Sequence, residues 1–442
     1  MVTYWAEHAW LPSGYAAGVR IEARDGRIAT VESGAESGAA TVLRGLTLPG
    51  LANAHSHAFH RALRARTQAE RGTFWTWRER MYAVAARLTP DSYLRLARAA
   101  YAEMALAGIT AVGEFHYLHH GPGGTLYADP NAMGHALIEA AAQAGIAITL
   151  LDTCYLSGGP GKSLEGPQLR FGDGDAGRWA ERVSALKPGG HAVVGAAVHS
   201  VRAVPPEEMG TVVAWAAERE APLHAHVSEQ RAENEAVVAA YGATPVAVLH
   251  RAGALGPRFS AVHATHLTEA DRGLLAGTRS FVCMCPTTER DLADGIGPAR
   301  ELLSVGAGLT LGSDSHAVID MFEEARGVEL NERLRTERRG HFTAAELLHA
   351  ATAAGHASLG RPHAGTIEAG AAADLVTIGQ DTPRTAGFAP ATAAETAVFA
   401  ATAADVRHVV AGGREIVRDG RHLLVPDVGR ALHEAIEELE NA

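Results

Sequence analysis

Lysine is almost missing from this chain: of 39 basic Lys and Arg residues in 442, only Lys162 and Lys187 are lysine. Cysteine is sparse as well, at three: Cys154, Cys283 and Cys285. So few, and an odd number, exclude a disulfide scaffold and fit a reducing compartment. Cys283-Met284-Cys285 has one intervening residue, where zinc and redox pairs have two. No apolar run reaches the length needed to cross a bilayer. The opening MVTYWAEHAWLPSG lacks a basic start followed by an apolar stretch, so no secretory signal is expected. Positive charge is short: 39 basic against 50 acidic residues leave a net charge of −11. That argues against phosphate-backbone binding. A cytoplasmic protein without nucleic-acid or membrane partners is expected. At 47% hydrophobic and 20% charged, the chain is neither disordered nor collagen-like.

Histidine is abundant instead. The 23 histidines outnumber the 10 Phe and 9 Tyr together. Histidine is the commonest metal ligand and the usual acid/base group near neutral pH, although most of them sit in ordinary polar or helical contexts.

The pattern along the chain predicts an α/β fold: a (β/α)8 TIM-like barrel with a small β-sandwich domain formed by the N- and C-terminal segments. Residues 1–47 read as short strands at 18–23, 27–32 and 41–47, with Asp25-Gly26 as a hairpin turn. Residues 48–362 alternate eight short apolar runs with helical segments such as 90–107, 131–144, 205–220 and 229–241. The runs are 51–54, 109–114, 146–151, 192–198, 222–226, 260–263, 280–283 and 308–312. Continuous apolar strands alternating with helices specify a parallel barrel. Residues 363–442 return to strand-like runs at 373–379, 392–399, 406–410 and 415–417, closed by a helix over 426–441. Two connections, 116–130 and 152–174, are long and rich in Gly and Pro, which suits binding loops.

Such barrels carry their chemistry at the C-terminal ends of their strands. Those ends hold His55 and His57, Glu114 and His116, His199, His226, His263 and Asp314. His55 and His57, two apart on a strand, face the barrel axis together. With His226 and Asp314 they make three imidazoles and a carboxylate, a set suited to Zn²⁺ or another borderline divalent ion with a position left for water. Taken singly, His226 has an ordinary reading as a core histidine. Glu229, three residues beyond, is placed to move a proton of the attacking water, or simply to cap a helix start. His263 stands beside that water. Dinuclear barrels bridge their metals with a carboxylated lysine, and neither Lys162, in a loop, nor Lys187, ahead of the fourth strand, can serve; one metal ion is expected. Arg202, after the fourth strand, and Arg78, in Phe74-Trp75-Thr76-Trp77-Arg78, offer forks for carboxylates; surface ion pairs are the ordinary fate of such arginines.

These residues resemble the amidohydrolase superfamily along essentially the whole chain. TLPGLANAHSHAFHRAL is similar to its first-strand metal motif, and GTIEAGAAADLVTI to the segment where its β domain resumes. The set His55, His57, His226, Glu229, His263 and Asp314 matches the mononuclear deaminase branch. Within it, TFWTWRERMY, EFHYLHH, VHSVRAV, HAHVSEQ, VHATHL, CPTTERDLADGI and LGSDSHA resemble the formimidoylglutamate deiminases. The resemblance implies His55, His57, His226 and Asp314 as ligands of one divalent ion, with zinc foremost. It implies Glu229, His263 and Asp314 as the proton-handling groups, and His60, Arg78, Tyr117, His199 and Arg202 as substrate contacts. Some members carry Gln at the place of His60. The implied reaction is hydrolysis of N-formimino-L-glutamate, a small anionic substrate of histidine degradation, to N-formyl-L-glutamate and ammonia; a homodimer is expected. Two other readings stay open: a deaminase of a purine- or pyrimidine-type ring on the same metal site, and a catalytically inactive metal-binding module.

Overall fold

A computed structural model describes residues 1–68, 72 and 74–441, and the side chains of Phe74 and Trp75, which open the aromatic segment noted above, lie outside that description. Four strands precede the barrel: β1 (Val2–Leu11), β2 (Gly14–Arg24), β3 (Arg27–Glu32) and β4 (Thr41–Pro49). The barrel strands are β5 (Leu51–Ser56), β6 (Ile109–His116), β7 (Ala147–Cys154), β8 (Ala192–Val198), β9 (Leu223–Val227), β10 (Phe259–His263), β11 (Phe281–Met284) and β12 (Gly308–Leu311). They follow one another in order through eight neighbouring positions, each pair parallel. All eight expected runs are found. β5 and β6 are buried at every residue, as strands covered on both faces must be.

The barrel closes between its last and first strands. Asp314 N–H donates to the His55 carbonyl at 3.0 Å, and His57 N–H donates to the Asp314 carbonyl at 3.3 Å. The Asn53 side chain braces the same seam, donating to Ser313 Oγ at 2.7 Å and accepting from Ser313 N–H at 2.9 Å. Gly312 permits the approach: a Cβ there would stand 2.7 Å from the Cβ of His55.

Both chain ends build the second sheet. β13 (Leu375–Ile378), β14 (Val406–Ala411), β15 (Arg414–Arg418) and β16 (Arg421–His422) join β1–β4 in the order β16-β15-β14-β13-β4-β1-β2-β3. β1 was not anticipated. Its inward residues Tyr4, Ala6 and Ala9 are interrupted by Glu7 and His8, so the alternation is weak, yet it lies inside the sheet between β4 and β2. The run at 392–399, read as a strand, is helical instead, in short turns at Pro390–Thr392, Ala393–Glu395 and Thr396–Ala400. Its buried residues Ala393, Ala394, Ala397 and Val398 recur at helical spacing, and alanine is the best helix former. The final helix, Val428–Asn441, packs on the helix Pro90–Leu106. Among the described residues no helix is long and apolar enough to cross a membrane.

Candidate active site

Of the eleven residues singled out, ten line one narrow pocket of about 70 Å³ at the C-terminal rim of the barrel, and His55 is fully buried against it. Ser228, His263, Ala264, Asp314 and His316 all have positive φ without being glycine. They account for five of the twelve such residues described. Backbone strain of this kind persists where surrounding structure over-determines it, as at functional sites.

His55, His57, His226 and Asp314 place four buried ligand atoms within 4.8 Å of one another. Asp314 Oδ1 lies 3.3 Å from Nε2 of both His55 and His57, and His226 Nε2 lies 3.2 Å from His55 Nε2. The opposite ring nitrogens decide what these atoms carry. His57 Nδ1 is 2.9 Å from the Phe115 carbonyl and His226 Nδ1 is 3.0 Å from the His199 carbonyl. A carbonyl only accepts, so both Nδ1 atoms hold the proton and both Nε2 atoms present lone pairs. The lone pair of His57 then faces a carboxylate oxygen. Such an arrangement is repulsive unless a cation lies among the donors. The donor set therefore fits one divalent ion. Burial raises the Asp314 carboxyl, but His55 and His57 outweigh it and hold it well below the usual range. Burial lowers His55 to about 3, so its imidazole is neutral, as ligation requires.

His263 stands across from the cluster. Its Nε2 is 3.8 Å from Asp314 Oδ2 and 3.9 Å from Glu229 Oε1, and its Nδ1 is 3.5 Å from Glu289 Oε1. Burial would depress this imidazole, yet Glu229, Glu289 and Asp314 together raise it well above its ordinary value. Glu289 is itself fixed by accepting from the Cys285 N–H at 2.8 Å.

Away from the acids the pocket is basic and aromatic. Arg78 and Tyr82 lie four apart on helix α1 (Phe74–Arg87), with Arg78 Nε donating to the Tyr82 hydroxyl at 2.8 Å. Arg202 enters from the end of β8 with Glu233 and Glu229 near it. His60 Nε2 and the Tyr117 hydroxyl are 3.0 Å apart. Gln168 Nε2 donates to the hydroxyls of Tyr82 and Tyr155, at 3.1 and 3.2 Å. Burial holds His60, His199 and His226 well below the ordinary imidazole value.

Sequence reasoning missed Tyr82, Tyr155, Phe171 and Glu289. Tyr82 was reachable, since it stands one helical turn past Arg78. Tyr155 directly follows β7, where the strand-end rule applies. Phe171 sits on a long connection and Glu289 in the short helix Pro286–Asp291 after β11, with no spacing to betray either. Two residues on the strand-end list do other work. Glu114 accepts from Ser56 Oγ at 2.7 Å and Ala58 N–H at 2.6 Å, stitching the chain beyond β5. His116 falls in a second buried group with His119 and Asp152. There Arg182 grips Asp152 through two nitrogens, at 2.9 and 2.8 Å, and reaches Asp173 as well. A guanidinium already neutralises that carboxylate, so the group is a structural ion-pair network.

The amidohydrolase family model matches residues 46–416. The chain belongs to the amidohydrolase family. A second model, the N-terminal domain of formimidoylglutamate deiminase HutF, matches residues 1–43 of this amidohydrolase. It is 37% identical over 454 residues to formimidoylglutamate deiminase of Pseudomonas aeruginosa, covering 99% of this chain and 100% of that one. To the 5-methylthioadenosine/S-adenosylhomocysteine deaminase of Pelotomaculum thermopropionicum it is 29% identical, covering 88% of this chain and 84% of that one. Among solved structures, an amidohydrolase from Brucella melitensis superposes with a TM-score of 0.92 at 33% identity, over all of both chains. Atrazine chlorohydrolase from Arthrobacter aurescens, solved with zinc, shares the fold with a TM-score of 0.88 at 23% identity, over 99% of this amidohydrolase and 100% of that chain.

Proposed function

We propose that this amidohydrolase hydrolyses N-formimino-L-glutamate to N-formyl-L-glutamate and ammonia, a step of histidine degradation. The observation that carries the reading is the presence of two arginines and two carboxylates in one pocket. Asp314 and Glu229 line it with His263, and Arg78 and Arg202 supply cations to the same cavity. The substrate has the complementary form: a basic amidine at one end and two carboxylates at the other. The full-length similarity to a formimidoylglutamate deiminase supports it. A flat neutral ring has no use for two guanidinium groups, and an inactive module none for Glu229, His263 and Asp314 arranged as they are.

His55, His57, His226 and Asp314 would hold a single divalent ion, zinc foremost, which would supply a Lewis acid that makes water nucleophilic near neutral pH. Asp314, its carboxyl held far below the usual range, keeps a free oxygen beside His263 to take the proton of the attacking water. His263 donates to the water oxygen and orients it toward the formimino carbon. Glu229 delivers a proton to the imine nitrogen. Glu229 recovers its proton from the new hydroxyl as the carbonyl forms, the proton held by Asp314 passes to the departing nitrogen, the C–N bond breaks, and ammonia leaves carrying both hydrogens of the water. Arg78 and Arg202 hold the carboxylates through charge-assisted forks, with Tyr117, His199 and His60 lining the chain between. The enzyme is taken to be a cytoplasmic homodimer, which light scattering tests.

Ammonia release from N-formimino-L-glutamate by zinc-loaded protein, with formylglutamate measured beside it, tests the reaction. Equal amounts of both products are expected. No release from that substrate, with turnover of a nucleobase or nucleoside, would overturn the carboxylate argument and leave the metal cluster standing.

A further inference from the structure

A large cleft lies far from this chemistry. It has a volume of about 760 Å³ and opens where barrel strands begin, at Thr110, Ala147 and Val193, against turns of the small sheet at Gly26 and Gly412. β6 spans 8 residues, so at about 3.3 Å per residue it separates the cleft from the catalytic rim by roughly 23 Å.

We infer that this cleft is a second binding site, for a small, multiply charged oxyanion of the phosphate or polycarboxylate class, with Arg361 as its principal anchor. The side chains lining it are Arg27, Arg361 and Arg414 with His191 and His363, against the carboxylates Asp25 and Asp374. Cations thus outnumber acids here, in a chain whose net charge is −11. Asp374 is also partly committed, accepting from the Gly412 N–H at 2.7 Å.

Arg361 makes the stronger argument. Its Nε is buried and has no partner. Its one side-chain hydrogen bond, Nη1 to the His191 carbonyl, is 3.5 Å long. Burial lowers its pKa, with only Asp374 working against that. Arg170 and Arg182, which are more deeply buried, spend their donors within the protein. Arg170 spends its donors on the carbonyls of His120, Ala85 and Leu88, and Arg182 on Asp152, Asp173 and Asn131. A buried guanidinium N–H without an acceptor is costly, and buried polar groups are rarely left so. Among the described residues nothing accepts from the Arg361 Nε–H; an anion in the cleft does. Arg361 belongs to the barrel and Arg27 and Arg414 to the small sheet, so the bound anion clips the two layers together. The walls leave room for it, since a side chain at Gly190 or Gly412 would meet nothing within 4 Å.

Calorimetric titration of the metal-loaded enzyme with inorganic phosphate, and separately with citrate, tests the site. The active-site arginines also attract anions, so the titrations are repeated on R202Q, R361Q and R414Q. Expected is a binding event that survives R202Q and weakens about tenfold or more in R361Q and R414Q, as loss of a charged hydrogen bond implies. Turnover by R361Q stays at the wild-type rate, because Arg361 touches nothing at the catalytic rim. Saturation by phosphate alone or by citrate alone supports the site and tells the two sources apart. Absence of binding in the wild type, or binding lost in R202Q and kept in R361Q and R414Q, overturns the inference. R414Q carries the same reading should R361Q fail to fold.

Discussion

Arg170 offers a sharp test of how the substrate pocket is held. It is 1% exposed and has no carboxylate partner among the ion pairs of the described residues. Its Nε donates to the His120 carbonyl at 2.8 Å, Nη2 to the Leu88 carbonyl at 2.6 Å, and Nη1 to the Ala85 carbonyl. Two of those carbonyls belong to the C-terminal end of α1, where helix carbonyls lack partners of their own. One guanidinium thus fastens the helix bearing Arg78 and Tyr82 to both long loops. In R170M three buried carbonyls lose their donor. At about 1–3 kcal/mol for each unmet group, less the relief of no longer burying a cation, the net loss is about 3 kcal/mol. For 442 residues the unfolding entropy is about 0.9 kcal/mol per kelvin, so the melting midpoint falls by about 3 °C. The kinetic consequence is the more telling one. α1 carries Arg78, proposed to hold a substrate carboxylate, whereas Glu229, His263 and Asp314 lie at or just past the ends of β9, β10 and β12, which Arg170 does not touch. KM for N-formimino-L-glutamate rises about tenfold, equivalent to 1.4 kcal/mol, while kcat stays within about twofold of wild type. Differential scanning calorimetry and steady-state ammonia release read the two numbers. A collapse of kcat at unchanged KM would refute the reasoning, because α1 would then serve the reacting centre rather than the carboxylates.

Other predictions follow the same geometry. E229Q lowers kcat by about 10²- to 10⁴-fold, the usual worth of a proton donor, with metal content by elemental analysis unchanged; near-normal turnover would remove Glu229 from the proton path. Chelation of the metal abolishes turnover and zinc restores it, whereas activity that persists in demonstrably metal-free protein contradicts the four-ligand cluster. His119 bears on acid stability. Burial lowers it from 6.5 to about 4, so between those pH values the unfolded chain binds a proton that the folded one does not. The stability it contributes is present above pH 6.5 and is lost as pH falls toward 4, by up to about 3 kcal/mol. Denaturant titrations across that range should be flatter in H119Q than in wild type; identical slopes would mean that the buried imidazole is not the group responsible.

Much of this molecule is legible in its sequence because two rules act together. Fully buried parallel strands need unbroken apolar runs, and barrels place chemistry where those runs stop. His55, His57, His226, His263 and Asp314 could therefore be found by locating strand ends. β1 escaped because small alanines and interposed charges blur its alternation. The segment 392–399 was misread because Val398 and Phe399 look strand-like until the surrounding alanines are weighed. Glu289 and Phe171 were beyond reach for another reason. Phe171 is brought to the pocket by a connection whose path depends on the contacts of its neighbour Arg170, and Glu289 by a short helix after β11 in which its carboxylate accepts from the Cys285 N–H; no apolar spacing marks either.

The proposed ligands also set a timetable. His55 and Asp314 lie on either side of the barrel's closing seam, where Asn53 bonds a residue 260 positions later in the chain. During synthesis the first three imidazoles emerge long before the carboxylate that completes them. A nascent chain has no finished coordination site until its last barrel strand has seated against its first. Closing a loop of that length is among the slower events of folding. Ion capture and ring closure thus become a single late step, and a chain cut short before residue 314 forfeits both. Uptake of the ion then reports that the whole barrel has been made and shut.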